Sequence, residues 1–331
     1  MSAVTPDAVT VVVPTHNRAD VLPQVLRAIL EQEQVSVSVV VVDDASTDGT
    51  AELLAGYPEV TVVNHDVPTE QRKARNDGAR LVDTPWISFC DDDDLWAPTK
   101  LRRQLDALSS AGADWCACSS IFVDERLEPV GGHRVTTAQE VERLLPRQNM
   151  VPGGGSGVLM RTSLFERVGG FREDAKFVED WDLWLKASRA GTLVCVDELL
   201  VAQRQWSRSY SHQNLEAQYR AFVDMTQRYG DGTVRFRSRP LHLGAFEIQQ
   251  RLCNGQRLSL VKELPRILRR SPEDWRWAVA MLALPEHKLR ELRLRMVGEH
   301  DVERAREWLA AVQGRAERRG EGWSRQCGVQ L

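Results

Sequence analysis

Two runs of β-branched residues, Val9–Val13 and Val37–Val42, constrain this chain more than any other feature. Continuous apolar stretches of this kind fit strands that are buried on both faces of a sheet. Between them, Val21, Leu22, Val25, Leu26, Ile29 and Leu30 recur at helical spacing, which predicts a helix lying on such a sheet. The alternation continues with a short helix at Thr50–Leu54, a strand at Val60–Val63, a helix at Ala74–Leu81 and a strand at Trp86–Cys90. A helix at Pro98–Leu108 and a strand at Trp115–Ser119 close the series. Strands alternating with helices over short links predict an α/β fold with a mostly parallel sheet and helices on both faces. Ligands of such sheets bind at the carboxyl ends of the strands, so the residues that follow each strand are where chemistry is expected.

Those residues are polar and acidic. Pro14-Thr15-His16-Asn17-Arg18 follows the first strand and Asp43-Asp44-Ala45-Ser46-Thr47-Asp48-Gly49 the second. Asn17 with Asp20, and Ser46, Thr47 or Asp48, are equally suited to capping the helices behind them. Asp91-Asp92-Asp93-Asp94, after the fourth strand, demands more. Four adjacent carboxylates at a strand end repel one another unless a cation or protons compensate. Hard oxygen ligands select Mg²⁺ or Mn²⁺, and Mg²⁺ takes one or two protein carboxylates and completes its shell with water and phosphate. A divalent ion at this edge suits a diphosphate ligand. Neither GxxxxGK[ST] nor a strand–GxGxxG–helix unit is present, which argues against an ATP-type phosphate loop and a nicotinamide fold. Gly153-Gly154-Gly155-Ser156-Gly157 follows Pro152 and precedes a strand at Val158-Leu159-Met160. It is expected to be a flexible loop lining the site with close backbone approach.

Composition narrows the class further. The chain has 331 residues and a formal charge of −4, which argues against nucleic-acid binding. No apolar run approaches the ~18–20 residues of a membrane-spanning helix, and the N-terminus lacks the pattern of a secretory signal. Cys90, Cys116, Cys118, Cys195, Cys253 and Cys327 are scattered without a CxxC pair, as expected of reduced thiols in the cytoplasm. Cys116 and Cys118 are expected on one face of a strand.

VVVPTHNR, VVVDDASTDGT, ARNDGAR, WISFCDDDDLW and VEDWDLWLKA, in this order and spacing over about residues 8–212, resemble the successive motifs of the family-2 glycosyltransferases. The resemblance implies a GT-A fold and transfer of a sugar from a nucleotide diphosphate sugar to a hydroxyl acceptor with inversion. It places Pro14, Thr15, His16 and Arg18 in the nucleotide pocket, Asp44 against the base and Arg75 facing the nucleotide. Asp91, Asp92 and Asp93 become the Asp-x-Asp element, with Asp92 near the ribose, Asp93 on Mn²⁺ or Mg²⁺ and Asp94 spare, a register open by one residue. At the last motif it makes Asp180 the general base, with Glu179 second; the lesser alternative is that these acids only favour the dipole of the helix they start. Gly154, Gly155, Ser156, Trp181 and Arg208 are candidates for the acceptor side and its loops. In Gln203–Ser211, which resembles the segment closing over the diphosphate, Arg208 or the following His212 is a candidate phosphate contact, with plain solvation the alternative.

The last third differs. Residues 231–331 carry 20 Lys and Arg against 13 Asp and Glu, and residues 1–230 carry 23 against 34. Helices are predicted at Leu215–Tyr229, Leu241–Cys253, Leu258–Leu268, Pro272–Leu284, Leu289–Val297 and Val302–Val312, with apolar stripes Leu289–Leu292–Met296 and Val302–Ala305–Leu309–Val312, and a frayed tail from Gly314. A catalytic domain over residues 1–214, with a nucleotide half to about 120 and an acceptor half from 121, would then precede a helical domain over 215–331. That domain either packs on the core or makes a homodimer, or it rests a basic surface on anionic lipid at the inner face of the membrane, near a lipid-linked acceptor. Arg266, Arg269 and Arg270 with Trp275 and Trp277 are the candidates for lipid contact. Small molecules and glycans are the other acceptor classes. A sugar-nucleotide nucleotidyltransferase is the neighbouring alternative, but Val11–Arg18 lacks the glycine-rich phosphate loop it needs. A non-catalytic sugar-nucleotide-binding subunit is the other; such a binder has no need of the metal carboxylates or Asp180.

Overall fold

The computed structural model describes residues 7–146, 149–205 and 286–327, together with 220, 221, 224, 225 and 227–229. The first strands form where the β-branched runs lie: β1 (Val9–Thr15), β2 (Val37–Asp43), β3 (Val60–Asn64) and β4 (Trp86–Phe89). They pair in parallel in the order β3-β2-β1-β4, and β1 registers Val12 against Val40 on one side and Phe89 on the other. Alternation sorts the side chains. Val9, Val11, Val13, Val39 and Val41 pack with α1 (Leu22–Leu30) and α4 (Lys100–Ala111). Val12, Val40, Val42 and Phe89 face the other way, toward α3 (Gln71–Ala79), α6 (Thr162–Arg167) and α7 (Glu179–Ala190). The short α2 (Thr50–Leu54) and α5 (Ala138–Leu144) complete the helices of this half.

Most strands run one way, as expected, but beyond β4 the sheet is mixed. β8 (Val158–Arg161) runs antiparallel to both β4 and β6 (Trp115–Val123), and β9 (Leu193–Arg204) runs parallel to β6. β5 (Leu95–Trp96) and β7 (Pro129–His133) pair antiparallel with β9 and β6. These directions have one result. The carboxyl ends of β1, β2, β4, β6 and β9 and the start of β8 all lie on one edge. His16, Asp44, Asp91, the glycine turn and Arg204 are therefore brought to that edge.

Cys116 and Cys118 lie in the same buried cluster, and Cys90, Cys116, Cys118 and Cys195 are free thiols. At the C-terminus, α8 (Glu286–Val297) and α9 (Glu299–Cys327) pack on the core: Val302, Ala305, Leu309 and Val312 join the cluster of β1, α1 and α4. The Leu289–Leu292–Met296 stripe is corrected, because Leu292 and Met296 are 38% and 65% exposed. The inward row is Leu289–Arg293–Val297. Gly131 and Gly132 in β7 give Arg293 and Val297 the room to approach. Arg290 Nε donates to the Pro129 carbonyl at 2.8 Å, and Arg134 pairs with Asp301. α9 continues past Gly314 to Cys327 instead of fraying there. No helix among the described residues is long and apolar enough to cross a membrane. The helices predicted at Leu241–Cys253, Leu258–Leu268 and Pro272–Leu284, the residues Arg266, Arg269, Arg270, Trp275 and Trp277, and Trp206, Arg208, Ser211 and His212 lie outside the described residues.

Candidate active site

The site is built on the loops of that edge, beginning with those after β1 and β2. Pro14 and Thr15 end β1 in buried positions, and His16, Asn17 and Arg18 form the turn. Asn17 takes φ 55°, and its Oδ1 accepts the backbone N–H groups of Thr47 at 2.7 Å and Asp48 at 3.3 Å. Asn17 N donates to Ser46 Oγ at 2.9 Å, and Ala19 N to Asp48 Oδ2 at 3.1 Å. His16 Nδ1 lies 2.8 Å from the Asp44 carbonyl, which only accepts, so Nδ1 carries the proton. α1 has no side-chain cap. Asp48 does hold the first N–H of α2, at Thr50, at 2.9 Å. These polar residues fasten the two loops to each other more than they cap helices.

Asp44 is buried, and both its oxygens are taken. His65 Nδ1 at 2.7 Å, Thr69 N at 2.8 Å and Thr69 Oγ1 at 2.8 Å donate to Oδ1, and Glu70 N donates to Oδ2 at 3.0 Å. Burial opposes ionisation, but His65, Thr69 and Glu70 hold the carboxyl below its ordinary range. The carboxylate expected to meet a nucleobase thus already holds the His65–Glu70 loop. His65 in turn reaches Asp77 of α3 through Nε2 at 3.2 Å.

The four aspartates turn the chain from β4 into β5. Asp91 N donates to the fully buried Ser156 Oγ at 3.0 Å, tying the aspartate loop to the glycine turn. Asp92 and Asp93 share Arg18, at 3.6 Å from each. Burial, and then the charge of Asp93, pushes the Asp92 carboxyl up to about 7, partly offset by Arg18. Asp94 is buried and its carboxyl is also raised by burial and by Asp91 and Asp93. The Asp92 and Asp94 carboxyls, raised by burial and by the neighbouring charges, are groups that a divalent cation would relieve, and hard oxygens suit Mn²⁺ or Mg²⁺. Among the described residues no three acidic, histidine or cysteine groups converge as a complete metal cage. The donor set therefore fits an ion that takes one or two protein ligands and fills its shell from water and phosphate.

The second half of the site starts at α7. Glu179 and Asp180 stand in its first turn, and burial raises both carboxyls: Glu179 to about 7 with help from the Asp180 charge, Asp180 against the opposing pull of Arg75. Arg75 joins the halves. Its Nη1 donates to Asp180 Oδ1 at 2.9 Å and its Nη2 to Asp91 Oδ1 at 2.5 Å, from a side chain 1% exposed. This guanidinium, expected to face the nucleotide, is bonded to two carboxylates beneath the surface. Its neighbours on the same face of α3, which the sequence reading did not single out, have the same task. Asn76 exchanges two bonds with the Phe171 backbone, at 2.8 and 2.9 Å, and Arg72 Nε donates to the Glu173 carbonyl at 2.8 Å. Spacing Arg72, Arg75 and Asn76 at i, i+3 and i+4 was the available signal.

The glycine turn is compact where flexibility was expected. Gly154–Gly157 makes one 3₁₀ turn, and a Cβ on Gly157 would lie 2.2 Å from the Pro152 carbonyl oxygen. Gly155 lies against Phe89 and Arg75, and its N–H supports the Asp180 carboxylate. Trp181, an acceptor-side candidate, lies deeper. Its ring is buried in the core and its Nε1 donates to the Leu145 carbonyl at 2.7 Å.

Comparison with known proteins places this geometry. Residues 10–169 match the model of the family described as glycosyl transferase family 2. This stretch is a family-2 glycosyltransferase domain. Over 188 residues the chain is 26% identical to an uncharacterized glycosyltransferase of Haemophilus influenzae, covering 54% of this chain and 60% of that protein. Over 107 residues it is 40% identical to the succinoglycan biosynthesis protein ExoO of Rhizobium meliloti, covering 32% of this chain and 31% of that one. The chain thus spans less than two thirds of either relative. Among solved structures, S. aureus TarS 1–349 in complex with UDP-GlcNAc aligns with TM-score 0.57 and 17% identity over 93% of this chain and 92% of that one. The fold is that of a GT-A glycosyltransferase, a mixed sheet with helices, followed in the chain by the helices α8 and α9.

Proposed function

We propose that this chain transfers a sugar from a nucleoside diphosphate sugar, UDP- or dTDP-linked, to a hydroxyl acceptor, with inversion at the anomeric carbon. The observation that carries the reading is Arg75, one buried guanidinium bonded to the aspartate loop through Asp91 and to the start of α7 through Asp180. It sets a diphosphate-binding side and a proton-accepting side against each other at one point. Asp93, beside Asp92, would hold Mn²⁺ or Mg²⁺. When bound, the ion supplies Lewis-acid neutralisation of the charge gathering on the departing diphosphate. Arg18, beside both carboxylates, adds a positive group on the same side.

Asp180 is the general base, with Glu179 next to it; a carboxylate there accepts the proton of the attacking hydroxyl. Base and leaving group lie on opposite sides of the anomeric carbon, and such direct displacement inverts it. Pro14, Thr15 and His16 form the wall toward the nucleoside. Uracil and thymine each present a ring N–H, which reaches the Asp44 carboxylate only by displacing one of its present donors. The TarS structures with UDP and with UDP-GlcNAc support a uridine diphosphate donor. The acceptor is a small molecule, a glycan or a lipid-linked alcohol. Residues 1–214 would be the cytoplasmic catalytic unit and 215–331 its helical companion, placed to pack, to dimerise or to rest on a membrane.

The test is a titration of UDP, dTDP, GDP, ADP and CMP in the presence of Mn²⁺. UDP and dTDP are expected to bind most tightly, and Asp93→Ala is expected to lose the Mn²⁺-dependent part of that affinity while keeping its melting temperature. Equal binding of ADP, or Mn²⁺-dependence intact in Asp93→Ala, contradicts the reading.

A further inference from the structure

Asp180 offers its two oxygens differently. Oδ1 is taken by Arg75 at 2.9 Å, and the Gly155 N–H also supports the carboxylate. Oδ2 faces the Cα of Gly154, and a Cβ built there would lie 2.9 Å from it. Apart from the Asp180 carboxyl group, no heavy atom of the described residues outside the turn's own backbone and the glycine's chain neighbours comes within 4 Å of that point. Gly154 is also the one residue of Gly153–Gly157 that is not buried. The missing side chain therefore leaves a slot, open toward solvent and bordered by one oxygen of the candidate base. Hydrogen-bonded oxygens sit about 2.7 Å apart, so an alcohol bonded to Oδ2 would occupy the volume that a Cβ at this position removes.

We propose that the slot over Gly154 is the acceptor subsite, where the attacking alcohol lodges its hydroxyl-bearing carbon against Asp180 Oδ2. This rests on the reading of Asp180 as the base. In the step, the alcohol O–H proton passes to Asp180 and the oxygen forms its bond to the anomeric carbon. The bond from that carbon to the diphosphate breaks, and UDP departs with the electron pair. Gly154 is then a specificity residue. It accepts any nucleophile that fits the slot, water included, and a side chain there excludes all of them without touching the nucleotide.

The experiment follows UDP release from UDP-glucose, UDP-galactose and UDP-GlcNAc with Mn²⁺, alongside calorimetric UDP affinity and melting temperature, in wild type, Gly154→Ala, Gly112→Ala and Asp180→Asn. Gly112 also has positive φ, 60°, but a Cβ there meets nothing within 4 Å, so Gly112→Ala reads backbone strain alone. Expected for Gly154→Ala is a loss of UDP release of tenfold or more, with UDP affinity within twofold of wild type and a melting temperature no lower than that of Gly112→Ala. Gly154→Asn, which tolerates positive φ, is expected to lose release as well. Release retained in both Gly154 variants while Asp180→Asn is inactive overturns the slot and leaves the base standing. Release retained in Asp180→Asn, or absent from wild type with every donor, overturns the reading of the site beneath it. UDP affinity lost in parallel with release also overturns the slot.

Discussion

Arg75 is the residue on which the two halves of the site depend. It is buried, and it forms charge-assisted bonds to Asp91 and Asp180 through different nitrogens of one planar group. Burial alone would lower its pKa, but the two carboxylates raise it. A lysine has one ammonium and no fork, so Arg75→Lys can hold one carboxylate and leaves the other without a partner. Breaking a buried pair costs ~3–5 kcal/mol, and the part-exposed Asp180 argues for the low end of that range. Urea denaturation of Arg75→Lys should read a loss of this order; an unchanged midpoint would mean that the bridge carries no stability. Glu179 gives a second prediction at this scale. Its carboxyl is raised from 4.5 to about 7, so between those values the folded state binds more protons than the unfolded one. Its contribution to stability is present at low pH and is lost as pH rises through about 7. Glu179→Gln removes that titration. The drop in melting temperature between pH 5.5 and pH 8 should therefore be smaller in Glu179→Gln than in wild type, and an equal drop would exclude Glu179 as its source.

Among the elements, α3 connects the core to the site. One of its faces carries Arg72, Arg75 and Asn76 to the Phe171–Glu173 segment, and another presents Gly78 to the sheet. A Cβ at Gly78 would lie 2.5 Å from Val12 Cγ1 and 2.9 Å from Val42 Cγ2, so the helix lies on β1 and β2 only because this residue has no side chain. Gly78→Ala should cost ~1–3 kcal/mol by overpacking, read by thermal melting, although alanine normally favours a helix. A stabilised Gly78→Ala would show that α3 is free to move outward. The elements also explain what was legible in the sequence. β1, β2 and β4 announce themselves because strands covered on both faces are largely apolar, whereas β3, at the sheet edge, exposes Thr61 and Asn64. β7 does not, since Pro129–His133 has two glycines and is held by α8. β9, with Asp197 and Glu198 inside it, breaks the apolar run that marks a buried strand. The aspartate loop was readable from four adjacent carboxylates. Its link to α7 was not, because Arg75 and Asp180 are 105 residues apart and spacing carries no information over that distance. Asp44 was found as a residue, but its partners His65 and Thr69 were not, so its carboxylate was expected to be open.

At the scale of the molecule, one sheet edge gathers loops from both halves of the domain, and the mixed strand order makes this possible. β8 reverses direction, so its start, the glycine turn, stands beside the end of β4. β6 and β9 reverse again and bring Arg204 to the same edge. The C-terminal helices α8 and α9 close the opposite face of the core, bonded through Arg134, Arg290 and the row ending at Val297. In the proposed reaction the edge works as a unit, with the diphosphate at the aspartates and the proton leaving through Asp180. The most direct test is UDP release at saturating UDP-sugar and Mn²⁺ in Asp180→Asn, which keeps the shape of the side chain and removes its basicity. A general base contributes ~10²–10⁴-fold, so release should fall by that factor while UDP affinity stays close to wild type. Release at the wild-type rate in Asp180→Asn, or the same fall in Glu179→Gln and not in Asp180→Asn, would contradict it.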